Sequence, residues 1–232
     1  MEEESLGDLP SPDSDAEQLS AITWQTDTEC ERFLIAFTSA EGAPATTPPA
    51  VSGEFLRASA VLRIHMDIEV TAVTDQLVQS GLVDRLYIVR ELDRSLYVDF
   101  HLSAPARAAI SVGPGSGDVE ILLESGGAPY EAVSSFGDNV VVVTPTPGPV
   151  EASVTVSGYS RNFEATTVVQ VTQEGTLVSE DFTTAADWIE TWGEFELTIS
   201  PDASGPAELF VGEFSAQDGS PRGLVLDITL PG

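Results

Sequence analysis

Apolar and polar residues alternate along most of this chain with a period of two, the spacing of a β-strand that has one dry face. The clearest stretch is 188–230. Phe195, Leu197 and Ile199 alternate with Glu194, Glu196 and Thr198. Leu209 and Val211 share one face of the next run, and Leu224, Leu226 and Ile228 alternate with Val225, Asp227 and Thr229 in the last. Asp202-Ala203-Ser204-Gly205-Pro206 and Gln217-Asp218-Gly219-Ser220-Pro221 separate these runs. Glycine there supplies positive φ, and Asp and Ser bond their own backbone, so both segments are turns.

The first half carries the same signal. From Ala60 to Val70, Leu62, Ile64, Met66, Ile68 and Val70 alternate with Arg63, His65, Asp67 and Glu69. Leu96, Val98, Phe100 and Leu102 alternate with Tyr97, Asp99 and His101, which predicts two strands each with one core face and one wet face. Residues 82–90 and 95–102 form a hairpin joined by Glu91-Leu92-Asp93-Arg94. Residues 108–112 and 119–123 are short strands, and the prolines of 44–49 mark a loop. Thr74 as a cap and Gly81 as a stop predict one short helix over 74–81. Downstream, 140–143, 152–157, 166–172 and 176–181 add four strands to the three of the opening stretch. Seven short strands without helices predict an immunoglobulin-like sandwich. Trp188, Trp192, Phe195 and Phe163 are assigned to its core or inter-sheet packing. The glycines of Ser125-Gly126-Gly127-Ala128-Pro129 interrupt both patterns and mark the domain boundary.

The fold class is therefore all-β, with two β-sandwich domains, the C-terminal one immunoglobulin-like with about seven strands. Residues 1–20 are expected to be a disordered acidic tether, residues 21–125 the first domain and residues 126–232 the second. Seven acidic residues and two prolines in that first stretch leave little to bury.

Charge changes the picture next. The chain of 232 residues has 38 acidic residues against nine arginines, no lysine, and a net charge of −29. Such a field repels phosphate, so nucleic acid is excluded as a partner. The single cysteine, Cys30, has no internal disulfide partner and lies at the start of a strand-like run, where a half-buried thiol is expected. No apolar run approaches the ~20 residues that span a bilayer, so membrane attachment is expected only through an N-terminal anchor outside this sequence.

The search for catalytic chemistry is negative. Gly113-Pro114-Gly115-Ser116-Gly117-Asp118 precedes a strand rather than a helix and lacks a lysine, so it is a turn and not a phosphate cradle. His65 and His101, with Asp67 and Asp99 beside them, suggest a zinc site on paper, but alternating polar residues arise on any wet sheet face. No Gly-x-Ser-x-Gly elbow occurs. Asp218-Gly219-Ser220 lacks the alternating oxygens of a calcium loop. No enzyme activity, metal or cofactor is expected.

Three segments carry a resemblance over 140–231. Gly158-Tyr159-Ser160-Arg161-Asn162-Phe163-Glu164-Ala165, the Trp192-Gly193-Glu194-Phe195 strand and the Ser215-Ala216-Gln217-Asp218-Gly219-Ser220 turn, in that order, resemble the immunoglobulin-like domain of bacterial spore germination. Over 22–123, the Glu31-Arg32-Phe33-Leu34-Ile35-Ala36-Phe37 strand, the segment 60–66 and the segment 98–107 resemble the AMIN-like domain of actinobacterial envelope proteins. These resemblances imply an extracytoplasmic, surface or membrane-anchored lipoprotein that binds peptidoglycan or an envelope protein. Scaffolding through protein partners alone is the alternative, and a wall hydrolase the third reading. Arg63, His65 and Tyr97, as an exposed row, are the candidate ligand-binding residues, since Arg and aromatic groups suit sugars or carboxylates.

Overall fold

The alternation builds sheets throughout. A computed structural model describes residues 3–9, 11, 13–27, 30–113 and 117–232, and divides the chain into two units, Met1–Ala132 and Val133–Gly232. Pro114, Gly115 and Ser116 of the glycine-rich turn lie outside the described residues.

The first unit contains β1 (Glu3–Leu9), β2 (Gln18–Thr26), β3 (Cys30–Thr38), β4 (Val51–Leu56), β5 (Val61–Met66), β6 (Val70–Thr71), β7 (Asp75–Leu77), β8 (Val83–Arg90), β9 (Leu96–Leu102), β10 (Ala106–Val112) and β11 (Val119–Ser125). One sheet runs β1-β4-β5-β9-β8, with β7 on β8, and the other runs β10-β11-β3-β2-β6. The dry faces of the two sheets supply one core. Phe33, Ile35 and Phe37 of β3 and Val119, Ile121 and Leu123 of β11 belong to it together with Leu62, Ile64 and Met66 of β5 and Val98 and Phe100 of β9. Phe33 and Phe100 meet edge to face with centroids 5.0 Å apart. Glu31 is also buried, and it is satisfied: its Oε1 accepts the Leu82 N–H at 2.9 Å and its other oxygen accepts the Ser80 hydroxyl. A buried carboxylate needs such donors to stay in place.

The structure corrects three expectations in this unit. Residues 3–9 of the expected disordered tether form β1, paired antiparallel with β4, although residues 1, 2, 10 and 12 lie outside the described residues. Main-chain pairing with β4 holds this stretch, and Leu6, Leu9 and Ala16 pack against the core. The Asp15 carboxylate accepts the N–H groups of Thr46 and Thr47, which hold its pKa below the ordinary value, and Ser11 donates to the Pro48 carbonyl. The 74–81 segment is not a helix. It forms β7 and then turns at Gln79 (φ 53°), with the Val78 and Gln79 N–H groups both bonding the Asp84 carbonyl. The main chain of β8 at 85–87 pairs with this segment, whereas Leu77 and Val78 alone make no helical face. Finally, the unit boundary falls after Ala132 rather than at the glycine pair. Tyr130 packs on the first core and its hydroxyl accepts the Ala106 N–H, while the Glu131 N–H bonds the Arg57 carbonyl, so the chain past Gly127 is tied back to the first unit.

The second unit contains β12 (Ser135–Phe136), β13 (Val140–Thr144), β14 (Gly148–Pro149), β15 (Val154–Ser160), β16 (Thr166–Gln173), β17 (Thr176–Thr184), β18 (Trp192–Ile199), β19 (Gly205–Phe214) and β20 (Pro221–Leu230). Seven of these correspond to the seven expected strands, and β12 and β14 are two-residue additions. The sheets run β18-β15-β13-β12 and β14-β20-β19-β16-β17. Val140, Val142, Val156 and Phe195 from the first share a core with Val169, Val171, Leu209, Val211 and Leu226 from the second. The protein is all-β, as the alternation predicts.

Candidate functional site

The register of the first unit sets Arg63 opposite Asp99 and His65 opposite Tyr97 across β5 and β9. Cross-strand partners share a face, so the three predicted site residues are brought together. They do not form an exposed row. Tyr97 is fully buried, and the Arg63 guanidinium lies 3.8 Å from its ring centroid. Arg63 also grips Asp99 with two parallel hydrogen bonds of 2.8 Å, the bidentate geometry that makes Arg–carboxylate pairs strong. Burial pushes the Asp99 carboxyl upward, and the guanidinium pulls it back. Arg63 is thus engaged within the protein.

All seven residues of β9 are buried, which corrects the expected wet face. His101 is one of them. Burial, with Arg85 and Arg63 nearby, lowers its pKa to about 3, so the ring is neutral. Its neighbour is the edge of Tyr87, with centroids 5.4 Å apart. The drawn zinc cluster is not assembled: among the described residues no group of three His, Cys, Asp or Glu side chains is placed to hold a metal. Cys30 is half-buried and free.

His65 stays half-exposed between two carboxylates, with Nδ1 2.7 Å from Glu91 Oε1 and Nε2 3.3 Å from Glu54 Oε1. Only the imidazolium donates to both. Burial lowers the His65 pKa, but the bond and charge of Glu91 and the bond to Glu54 outweigh it and leave the value above 6.5. A raised histidine stabilises the fold fully below its unfolded value and loses that contribution as pH rises through the folded one. We therefore expect the stability advantage of the parent over His65→Gln to be largest near pH 6 and to vanish in alkaline buffer, measured by thermal unfolding from about pH 5.5 to 8.5. A constant difference would mean that the ring acts by packing alone. A cavity of about 560 Å³ opens beside this ring, lined by Asp8, Leu9, Ser52, Glu91 and Asp93 among others.

In the second unit, local backbone needs explain the sequence motifs. A side chain at Gly158 would place its Cβ 2.0 Å from the Val141 carbonyl oxygen. At Gly193 it would lie 2.1 Å from the Asp187 nitrogen, so only glycine lets the 186–190 loop cross the strand there. That loop is held by Asp187, whose Oδ1 accepts the N–H groups of Trp188, Ile189 and Glu190. Flanking Gly193, Trp192 packs edge-on against Tyr159, and Phe195 enters the core. Asn162 and Ser160 are buried with Thr167 in a hydrogen-bonded group. In the 215–220 turn, Asp218 accepts both the N–H and the hydroxyl of Ser220, which lowers its pKa to about 2, and Gly219 takes φ 70°. Residues 139–220 match the immunoglobulin-like domain of bacterial spore germination. The match lies wholly within the second unit. No curated protein and no solved structure matches the chain.

This immunoglobulin-like domain differs from expectation at one motif residue. Phe163 is 58 % exposed, resting edge-on against half-buried Trp188 at the start of a short turn in which Glu164 takes φ 54°. The domain also presents an apolar surface that strand patterning missed. On the outer side of its five-stranded sheet, Phe182 (66 % exposed) pairs across with Val168, and half-buried Phe210 with Val225 (57 %). Phe214, also exposed, leans on Phe210 at 5.5 Å. The signal for this face was present in the run Leu209-Phe210-Val211, where three consecutive apolar residues break the alternation and make both faces of β19 apolar. Beside this face, an open groove of about 690 Å³ is lined by Gly148, Glu174, Pro206, Glu208 and Asp227 among others.

Proposed function

We propose that this chain is a non-enzymatic, extracytoplasmic binding module of the cell envelope, and that its ligand is a protein engaged by the outer sheet face of the immunoglobulin-like domain. The observation that carries this reading is the exposure of Phe182, Phe214 and Val225 on one sheet face. Large apolar groups gathered on a surface mark interaction sites more than isolated ones do. The immunoglobulin-like match and the resemblance of the first unit to AMIN-like domains both support an envelope location. Among the described residues, no helix is long and apolar enough to cross a membrane. Wall glycan at Arg63, His65 and Tyr97 is the weaker alternative, because the Tyr97 ring that would stack on a sugar lies beneath the Arg63 guanidinium.

The test is site-specific photo-crosslinking in the native cell, combined with co-sedimentation on purified peptidoglycan. A crosslinker at position 182 or 225 should capture the same polypeptide, and one at exposed Val112 of the first unit should not. The chain should stay in the supernatant with peptidoglycan. Pelleting with the wall, together with no adduct at 182 or 225, would replace this reading with glycan binding.

A further inference from the structure

Resting on the protein-binding reading above, we infer that the partner presents a basic segment, with Lys or Arg side chains flanking an apolar strip, and is not a second copy of this chain. The outer face is built in rows that the strand register fixes. Phe182 and Val168 lie in line with Gly212 and Gly223, and the next row sets Glu180 and Gln170 beside Phe210 and Val225. The row after that places Thr172, Glu208 and Asp227 side by side. The two glycines are structural here, since a Cβ on Gly212 would meet the Arg222 carbonyl oxygen at 2.1 Å. They leave room on β19 for the Phe210 and Phe214 rings, which meet at 5.5 Å across Gly212 and join the two rows into one apolar strip.

Acidic groups border this strip on one side. Glu208 and Asp227 are direct cross-strand neighbours, both exposed, and like charges so placed cost stability. Nothing cationic relieves them: among the described residues no arginine forms an ion pair with Glu174, Glu180, Glu208 or Asp227. Glu208 and Glu180 receive only neutral donors, from Thr172 and Gln170. The unrelieved repulsion is a standing electrostatic preference for a cation at the rim, while the centre favours apolar contact. A second copy carries the same acidic rim and the same net charge of −29, so self-docking adds repulsion. Strand addition at β17 is also disfavoured. Its register shifts beside Val171, and Asp181 sits opposite core residue Val169, both of which blunt an edge. The partner therefore lies across the face.

The experiment uses the full chain and two synthetic peptides of equal length, one alternating Leu with Lys and one alternating Leu with Glu, read by fluorescence anisotropy at low and high salt. The Leu–Lys peptide should bind, weaken with added salt, and lose about tenfold in Kd with Phe182→Ser/Val225→Ser, the effect of removing apolar contacts at an interface centre. Glu208→Gln/Asp227→Asn should weaken it by a similar factor of about ten and flatten the salt dependence. Glu41→Gln/Glu131→Gln, which removes the same charge from exposed positions of the first unit, should change nothing. Equal binding of both peptides, or Leu–Lys binding indifferent to the Phe182/Val225 change, overturns the inference. The crosslinking above separates the two levels. Capture of an acidic partner at positions 182 and 225 keeps the protein-binding reading and overturns its basic chemistry, whereas absence of any adduct removes both.

Discussion

Arg63→Ala should lower the stability of the first unit by about 3–5 kcal/mol, the loss that follows when one member of a buried ion pair is deleted and the other remains. Asp99 is fully buried, and Arg63 supplies both of its charge-assisted bonds. The deletion also uncovers the Tyr97 ring. Without the guanidinium, the main group opposing burial at Asp99 is gone, so its folded pKa rises further above 3.8. A carboxyl that binds its proton more tightly when folded loses stability as pH rises through that range. The deficit of Arg63→Ala should accordingly be smaller at about pH 4 than at about pH 8. Arg63→Met/Asp99→Leu, which removes both charges, should recover most of the loss. Calorimetry of the full chain reads each effect, and a pH-independent deficit would mean that Arg63 contributes packing and not charge.

Phe100→Ala should cost about 3–5 kcal/mol as well, through lost burial plus the cavity left behind. Phe100 is fully buried and meets Phe33 of the opposing sheet, so its ring belongs to the contact that joins the two sheets. Phe100→Leu should cost far less, since most of the volume is kept. The exposed Phe182→Ala should stay within about 0.5 kcal/mol of the parent. Equal losses at positions 100 and 182 in denaturant titrations would show that the outer face of the second unit is buried in solution.

These contrasts also show what a single sequence reveals. β5, the β8–β9 hairpin and the seven main strands of the second unit are legible because side-chain alternation is a local property. β1 is not, because its pairing with β4 uses main-chain groups that every residue has, and the acidic side chains of that stretch suggest solvent. The candidate row was legible as a set, since Arg63, His65 and Tyr97 do fall on one face. Its burial was not, because it depends on which residue stands opposite which. Only register sets Arg63 between Asp99 and Glu54 and lets Glu54 reach His65 diagonally, closing a face whose composition resembles a wet one. The outer apolar face of β19 was visible in Leu209-Phe210-Val211 but competes with the simpler assignment of a buried strand.

The order of strands in the first unit bears on how the chain acquires its structure. β3 has β2 on one side, almost adjacent in sequence, and β11 on the other, with Cys30 paired to Glu124 and Ile35 to Val119. Closing that second ladder brings together segments from opposite ends of the unit, and such long loops fold slowly. A chain emerging N-terminus first from a ribosome or an export channel therefore displays β3 with an open flank until β11 arrives. Phe33, Ile35 and Phe37 wait with it, half covered, so the interval before β11 emerges is when this protein is most exposed to aggregation or to a chaperone.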